Sequence, residues 1–252
     1  MASLDIEDDF RAIVRTLKGS KMPMRNMIVM SLLAAGLCGV TARAAEAKTP
    51  ATLAITHVAV WDGTGAAMQP DCTVVIENGA VRNVGPAGSV KIPRRAQIVN
   101  ATGKYMIPGL WDMHVHWYDR ERLPLFTANG VTGIRILFGA PMHRGWRSSV
   151  GAGAWPEPRV VLAGPIVDGP KPIWQGSIAV GSPEQGRAAV QRVIADGYDF
   201  VKVYSLIPRD AYFAIADEAK KKKISFAGHV PISVSIFEAS QAGQKSCEHL
   251  NG

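Results

Sequence analysis

The stretch Pro108-Gly109-Leu110-Trp111-Asp112-Met113-His114-Val115-His116 decides how this 252-residue chain is read. In a strand, side chains at i and i+2 share a face, so His-x-His sets two imidazoles side by side and turns Val115 toward the packing side. Two neutral imidazoles one strand step apart can grip a single divalent ion. Taken singly the pattern is weak, because most paired strand histidines are incidental. Its weight comes from three residues farther along: Lys202, His229 and His249.

Each of those three sits at the end of a short apolar segment that reads as a strand. In Phe200-Val201-Lys202-Val203-Tyr204 the residues alternate, with Phe200, Lys202 and Tyr204 on one face and the two valines on the other. Ile224 to His229 ends in histidine, as does Ser246-Cys247-Glu248-His249. Four of the six histidines fall at strand ends in this series. Among parallel strands, those are the ends where active sites gather. His57 and His143 lie outside the pattern and receive no role.

Working outward, residues 53–84 read as short strands: Leu53 to Trp61, Cys72 to Ile76, then Val81 to Val84 after a turn at Asn78-Gly79, a strong hairpin signal. From Tyr105 onward strands alternate with helices, which argues for a parallel sheet. Val131 to Leu137 and Arg159 to Val167 are strands two and three. Ser182-Pro183-Glu184-Gln185 reads as a capping box with proline at the first helical position. Arg209 to Lys222 and Ser233 to Ala242 fit two further helices. The weakly periodic Gly139 to Ala154 reads as a loop, either contacting substrate or an ordinary variable surface loop.

With these motifs in place, the chain resembles the amidohydrolase superfamily over roughly residues 51 to 252, in particular its imidazolonepropionase-like and Xaa-Pro dipeptidase-like branch. The resemblance implies an α/β fold, a TIM-like (β/α)8 metal-dependent hydrolase barrel present as about six βα units. A small N-terminal β-sandwich portion over residues 45–104 precedes a barrel portion over 105–252. It implies that His114 and His116 hold one divalent metal ion and His229 and His249 a second, with Lys202 bridging both as N6-carboxylysine. Zinc is the first expectation, although sites of this kind also accept manganese, cobalt or iron. In relatives a tyrosine at the place of Tyr204 meets the substrate; a tyrosine that merely caps the core is the equal alternative. The implied reaction is hydrolysis of an amide or cyclic amide C–N bond by metal-activated water, on a dipeptide or N-acyl amino acid.

The lysine also has a physical rationale of its own. Inside a barrel mouth and near two dications, its charged form is disfavoured and its pKa falls. The neutral amine can then add carbon dioxide to give an anionic carboxylate.

Departures from the family pattern matter equally. Its strand-eight aspartate, which moves the proton of the attacking water, has no counterpart here, so the catalytic residue is unknown. Asp112 precedes the histidines on the same strand face, but the family has an acid there as well as the later one. Where many relatives have Arg-Asp after strand two, this chain has Arg135-Ile136-Leu137. A complete barrel typically takes ~250 residues by itself. The sequence is therefore read as a C-terminally truncated, inactive amidohydrolase fragment; the alternative is a non-catalytic metal-binding or interaction remnant. The implied partner is a small-molecule or short-peptide substrate, and a homo-oligomer is left open for a full-length parent.

The N-terminus carries the compartment signal. Lys21 and Arg25 precede the apolar run Met27 to Val40, and Ala42-Arg43-Ala44 is an A-x-A cleavage pattern, so residues 1–44 read as a secretory signal peptide with an uncertain start codon. The apolar run is short for a transmembrane helix, with an uncleaved anchor as the alternative. The expectation is a periplasmic or secreted protein with no stable membrane anchor after cleavage. Net charge is +7, but the one basic run, Lys220 to Lys223, ends a helix, where cations complement the dipole. Nucleic-acid binding would need a broader basic surface with aromatics and is set aside.

Overall fold

A computed structural model describes residues 52–151 and 157–250. The signal-peptide reading of residues 1–44 lies outside the described residues. Among them, no helix is long and apolar enough to cross a membrane. They form two compact units. One takes the described residues up to Thr56 with Thr73–Asn100; the other takes His57–Cys72 and the chain from Ala101 onward.

The first strands are β1 (Thr52–Val60), β2 (Gln69–Glu77), β3 (Ala80–Pro86), β4 (Gln97–Asn100) and β5 (Tyr105–Met106). They join one sheet in the order β3-β2-β1-β4, with β5 also paired to β1. Asn78 and Gly79 have φ of 51° and 74°. Two positive values are what a tight turn between twisted strands demands, and Asn-Gly tolerates both. On β1, Ala54, Val58 and Val60 are buried in alternation, whereas β3 and β4 leave Val81, Val84, Ile98 and Val99 exposed. The expected sandwich needs two facing sheets; among the described residues all five strands hydrogen-bond into one sheet.

Seven strands follow: β6 (Leu110–Val115), β7 (Val131–Ile136), β8 (Arg159–Leu162), β9 (Val167–Asp168), β10 (Ile178–Ala179), β11 (Phe200–Val203) and β12 (Ser225–Gly228). β6, β7 and β8 pair in parallel, as do β10, β9, β11 and β12. Single parallel bridges, Ala163 to Phe200 and Gly228 to Cys247, extend the sequence-ordered series. Six successive parallel segments result, as the βα alternation predicts. Among the described residues they do not close into a barrel.

Helices α1 (Pro124–Ala128), α2 (Pro141–Gly151), α3 (Pro183–Ala195), α4 (Arg209–Lys222) and α5 (Ile236–Gln241) lie between strands. Ile134, Ile136, Leu162, Val201 and Val203 are wholly buried in one core with Val190, Val193, Tyr212 and Ile215. A parallel sheet is covered on both faces, so β11 is buried along its whole length, Lys202 included.

Three local readings need correction. The segment read as a loop after strand two is helical from Pro141 to Gly151, with its remainder outside the described residues. Its buried stripe is His143 and Trp146, and a histidine in that stripe hides the apolar period. The His143 Nδ1 accepts from the Ala140 N–H at 3.0 Å, and its Nε2 donates to the Trp117 carbonyl at 2.8 Å. It is a wholly buried structural histidine, and burial lowers its pKa. The third strand breaks after Leu162 instead of running to Val167, at Gly164-Pro165. Proline cannot donate to a ladder, and a Cβ on Gly164 would lie 2.6 Å from Val193. Finally, the box at Ser182 is partial. Its hydroxyl accepts from the Gln185 N–H, but Gln185 accepts from Gly181 rather than Ser182. The reciprocal box is at Ser235 and Glu238, starting α5.

Candidate metal centre

One cavity of ≈ 480 Å³ in the parallel unit is lined by His114, His116, Lys202, His229 and His249, together with Tyr118, Phe138, Ile166, Trp174 and Tyr204. All five residues singled out for metal binding, and Tyr204, are brought together. The imidazoles form a row. Ring centroids are 5.1 Å apart from His116 to His114, 4.5 Å from His114 to His249, and 5.2 Å from His249 to His229. His249 thus packs against His114 as well as His229, a contact that the pairing by strand order does not anticipate.

Each side chain reaches the row through a local irregularity. In β6, Asp112 pairs with Ile134 and Val115 with Ile136, so three steps oppose two and the strand bulges at Met113–His114. A bulge takes backbone groups out of the ladder and re-aims a side chain. The Asp112 carboxylate accepts from the His114 N–H at 3.2 Å, and Arg135 Nε donates to the Met113 carbonyl at 2.7 Å. The His114 and His116 Nε2 atoms end 3.1 Å apart. Two imidazole nitrogens that close must share a proton or a cation. Behind His114, Nδ1 lies 2.8 Å from the Glu248 carboxylate, which ion-pairs with Arg135 and accepts from Ser246.

Lys202 sits on β11 with 1% exposure, and its Nζ has no hydrogen-bond partner. Burial lowers its pKa to about 8, with Arg135 acting in the same direction and Glu248 opposing. The neighbouring strand must be glycine at 228. Its φ is 141°, and a Cβ there would lie 2.1 Å from the Val203 carbonyl and 3.0 Å from the lysine stem. His229 follows directly. Its Nδ1 is 2.9 Å from the Ser205 hydroxyl, and its ring stacks on Tyr204 at 4.0 Å. Burial first, then Lys202 and the neighbouring imidazoles, lowers His229 to about 4. His114 and His116 are also lowered, chiefly by burial. The sixth strand is reduced to the Cys247 bridge, and His249 follows in a 3-10 turn with φ of 63°. Gln244 steadies this segment: its amide donates to the Gly228 and Ser246 carbonyls, and its oxygen accepts from the Tyr212 hydroxyl.

The donor set suits a divalent ion. Neutral imidazoles are the form that ligates, and the partners of His114 and His229 occupy Nδ1, leaving Nε2 inward. An orphaned buried amine on the same cavity is a polar atom awaiting a partner. As the side chains stand, no three His, Cys, Asp or Glu groups among the described residues are close enough to hold an ion.

Sequence reasoning missed Glu248, Trp174, Tyr118 and Phe138. Trp174 donates to the Tyr204 hydroxyl at 2.9 Å. Its loop is pinned by the wholly buried Asp168, whose carboxylate accepts from the Ile173 and Leu206 N–H groups. Glu248 had one available signal, a charge beside a ligand-type histidine; Trp174 had none, because its loop has no period. Cys72 and Cys247 are free thiols.

No protein-family model matches the chain. A dihydroorotase of Trichlorobacter lovleyi is 46% identical over 46 residues, 18% of this chain and 10% of that protein. Bottromycin amidohydrolase superposes with a TM-score of 0.70 at 28% identity, over 81% of this chain and 44% of its own. A Xaa-Pro dipeptidase with methionine bound in its active site gives 0.61 at 18% identity, over 77% and 60%. At that identity the likeness concerns the fold. The chain therefore spans between 44% and 60% of the length of these two structures. The successive parallel βα units and these likenesses show that the chain is similar in fold to amidohydrolases.

Proposed function

We propose that this protein is a metal-dependent hydrolase of amide or cyclic amide C–N bonds, and that its substrates are dipeptides or N-acyl amino acids. The single observation that carries the reading is the convergence of His114, His116, Lys202, His229 and His249 on one cavity. These residues would hold two divalent ions, zinc first. Two such ions lower the pKa of a shared water and polarise a carbonyl oxygen.

The chain's own residues supply the rest. The Lys202 amine, neutral in a growing fraction above its lowered pKa of about 8, adds through its nitrogen to the carbon of carbon dioxide and loses a proton. The product is an anionic carbamate reaching into the cavity. Because the Trp174 indole donates to the Tyr204 oxygen, the Tyr204 O–H is left as a donor for a substrate carbonyl. Tyr118, Phe138 and Ile166 give the substrate an apolar wall.

Among the described residues, those lining the cavity include no Asp or Glu, and Asp112 is engaged by the His114 backbone. The described lining thus offers no carboxylate as proton acceptor for the attacking water, and such a group contributes about 10²- to 10⁴-fold in rate. That observation favours a second reading, a metal-binding protein without turnover. The two share one test and part at its end. Equilibrium dialysis with zinc should load the 252-residue chain, and Lys202→Ala and His116→Ala should each weaken loading at least about 100-fold. Native mass spectrometry should find one added carbon dioxide that Lys202→Ala lacks. Zinc uptake indifferent to both substitutions would overturn the metal centre. Turnover of Xaa-Pro dipeptides or N-acyl amino acids above the Lys202→Ala control would decide for the enzyme reading over the second.

A further inference from the structure

The carboxylate behind His114 has more invested in it than ion pairing requires. Glu248 is buried to 8% exposure, and its two oxygens divide their work. Oε1 meets the Arg135 guanidinium and accepts from the Ser246 hydroxyl at 2.6 Å, while Oε2 lies 2.8 Å from His114 Nδ1. Arg135 in turn also donates to Ser246 Oγ and to the Met113 carbonyl inside the bulge, and stacks over Phe200. Guanidinium, carboxylate and imidazole are thus locked to one another and to the strand that carries the histidine.

We propose that Glu248 is a positioning residue that fixes His114 as its Nδ1–H tautomer and aims the Nε2 lone pair into the cavity. The chemistry is directional. An ionised carboxylate can only accept, so the imidazole must donate from Nδ1. The Arg135 fork keeps the carboxylate ionised and stops it from rotating toward the cavity, where it would compete for the ion. Partners of this kind raise the basicity of a ligating imidazole and set its ring plane. The inference deepens the proposed metal centre and rests on it only for its affinity consequence, since the tautomer is a property of the metal-free chain.

The test uses the full chain in four forms: native, Glu248→Gln, Glu248→Ala and the double Arg135→Met/Glu248→Leu. The double variant removes both buried charges together, which proteins often tolerate well. Long-range ¹H–¹⁵N spectra of the metal-free protein should show His114 with its proton on Nδ1 in the native and Gln forms. The Ala and double forms should populate the Nε2–H tautomer. Zinc affinity should fall about 10- to 100-fold in those two forms and recover most of the loss in the Gln form, whose amide oxygen can still accept. An Nε2–H tautomer in the native chain, or unchanged tautomer and affinity in every folded variant, would overturn the proposal. If the native chain takes up no zinc, the metal reading fails, and the tautomer still decides the role of Glu248.

Discussion

At the end of β6, His114 is held from behind by Glu248, Arg135 and Ser246; on β11, the buried Lys202 Nζ has no hydrogen-bond partner. The two side chains line the same cavity. One polar group is fully bonded on its inner side and so oriented; the other is desolvated and so neutralised. A ligand that must present one lone pair in one direction needs the first arrangement. An amine that must give up its charge needs the second. The same buried environment serves both because what differs is the supply of partners, not the burial.

The comparison can be broken from either side. The largest expected effect is at Arg135, because removing it leaves the Glu248 carboxylate buried beside half of its network. Arg135→Met should destabilise the chain by about 3–5 kcal/mol, read as a lower urea midpoint. The double variant with Glu248→Leu should restore most of that loss. A change below about 1 kcal/mol in the single variant would mean that the network is solvated and not orienting anything.

Lys202 should behave in the opposite way. Its pKa falls from 10.5 to about 8 on folding, so the unfolded state binds more protons between those values and stability rises with pH across that window. Below about pH 8 the native state carries a cost on the order of 3 kcal/mol. In metal-free buffer purged of carbon dioxide, Lys202→Met should therefore stabilise the chain by about that much at pH 7. The advantage should shrink as pH climbs from 8 toward 10.5. A destabilising substitution, or a pH-independent one, would show that the amine has partners in solution.

The smallest effect sharpens the comparison by leaving the site alone. Ser235→Ala removes the hydroxyl of the reciprocal capping box that starts α5, and should cost about 1 kcal/mol. Zinc loading should not change. If loading falls with it, the cavity is coupled to the helix ends, and the two effects above could not be assigned to His114 and Lys202 themselves.

Much of this was legible in order and spacing. Period-two alternation placed β11 within a residue or two, and Asn78-Gly79 placed its hairpin, because those signals depend on backbone chirality and on side chains a few residues away. Helix α2 was missed because its buried stripe contains His143, and a histidine counts as polar until its two hydrogen bonds are seen. Trp174 joined the cavity wall through Asp168, a carboxylate whose partners lie on its own loop and on the loop after β11.

The sequence by itself determined that the strands are parallel and which residue types sit at their ends, since crossover length and apolar period require only local information. The order of His and Lys at strand ends, together with the family resemblance, nominated the five candidate ligands. Tertiary structure alone decided the rest. Glu248 and Arg135 are 113 residues apart, and no periodicity announces that one will neutralise the other behind His114. The row from His116 to His229 runs through His249 because a bulge at Met113–His114 and a left-handed backbone at His249 turn their side chains off the positions that regular strands would give. Which imidazole nitrogen faces the cavity, and whether an amine keeps its charge, depend on neighbours within a few ångströms. Those distances exist only once the chain has folded.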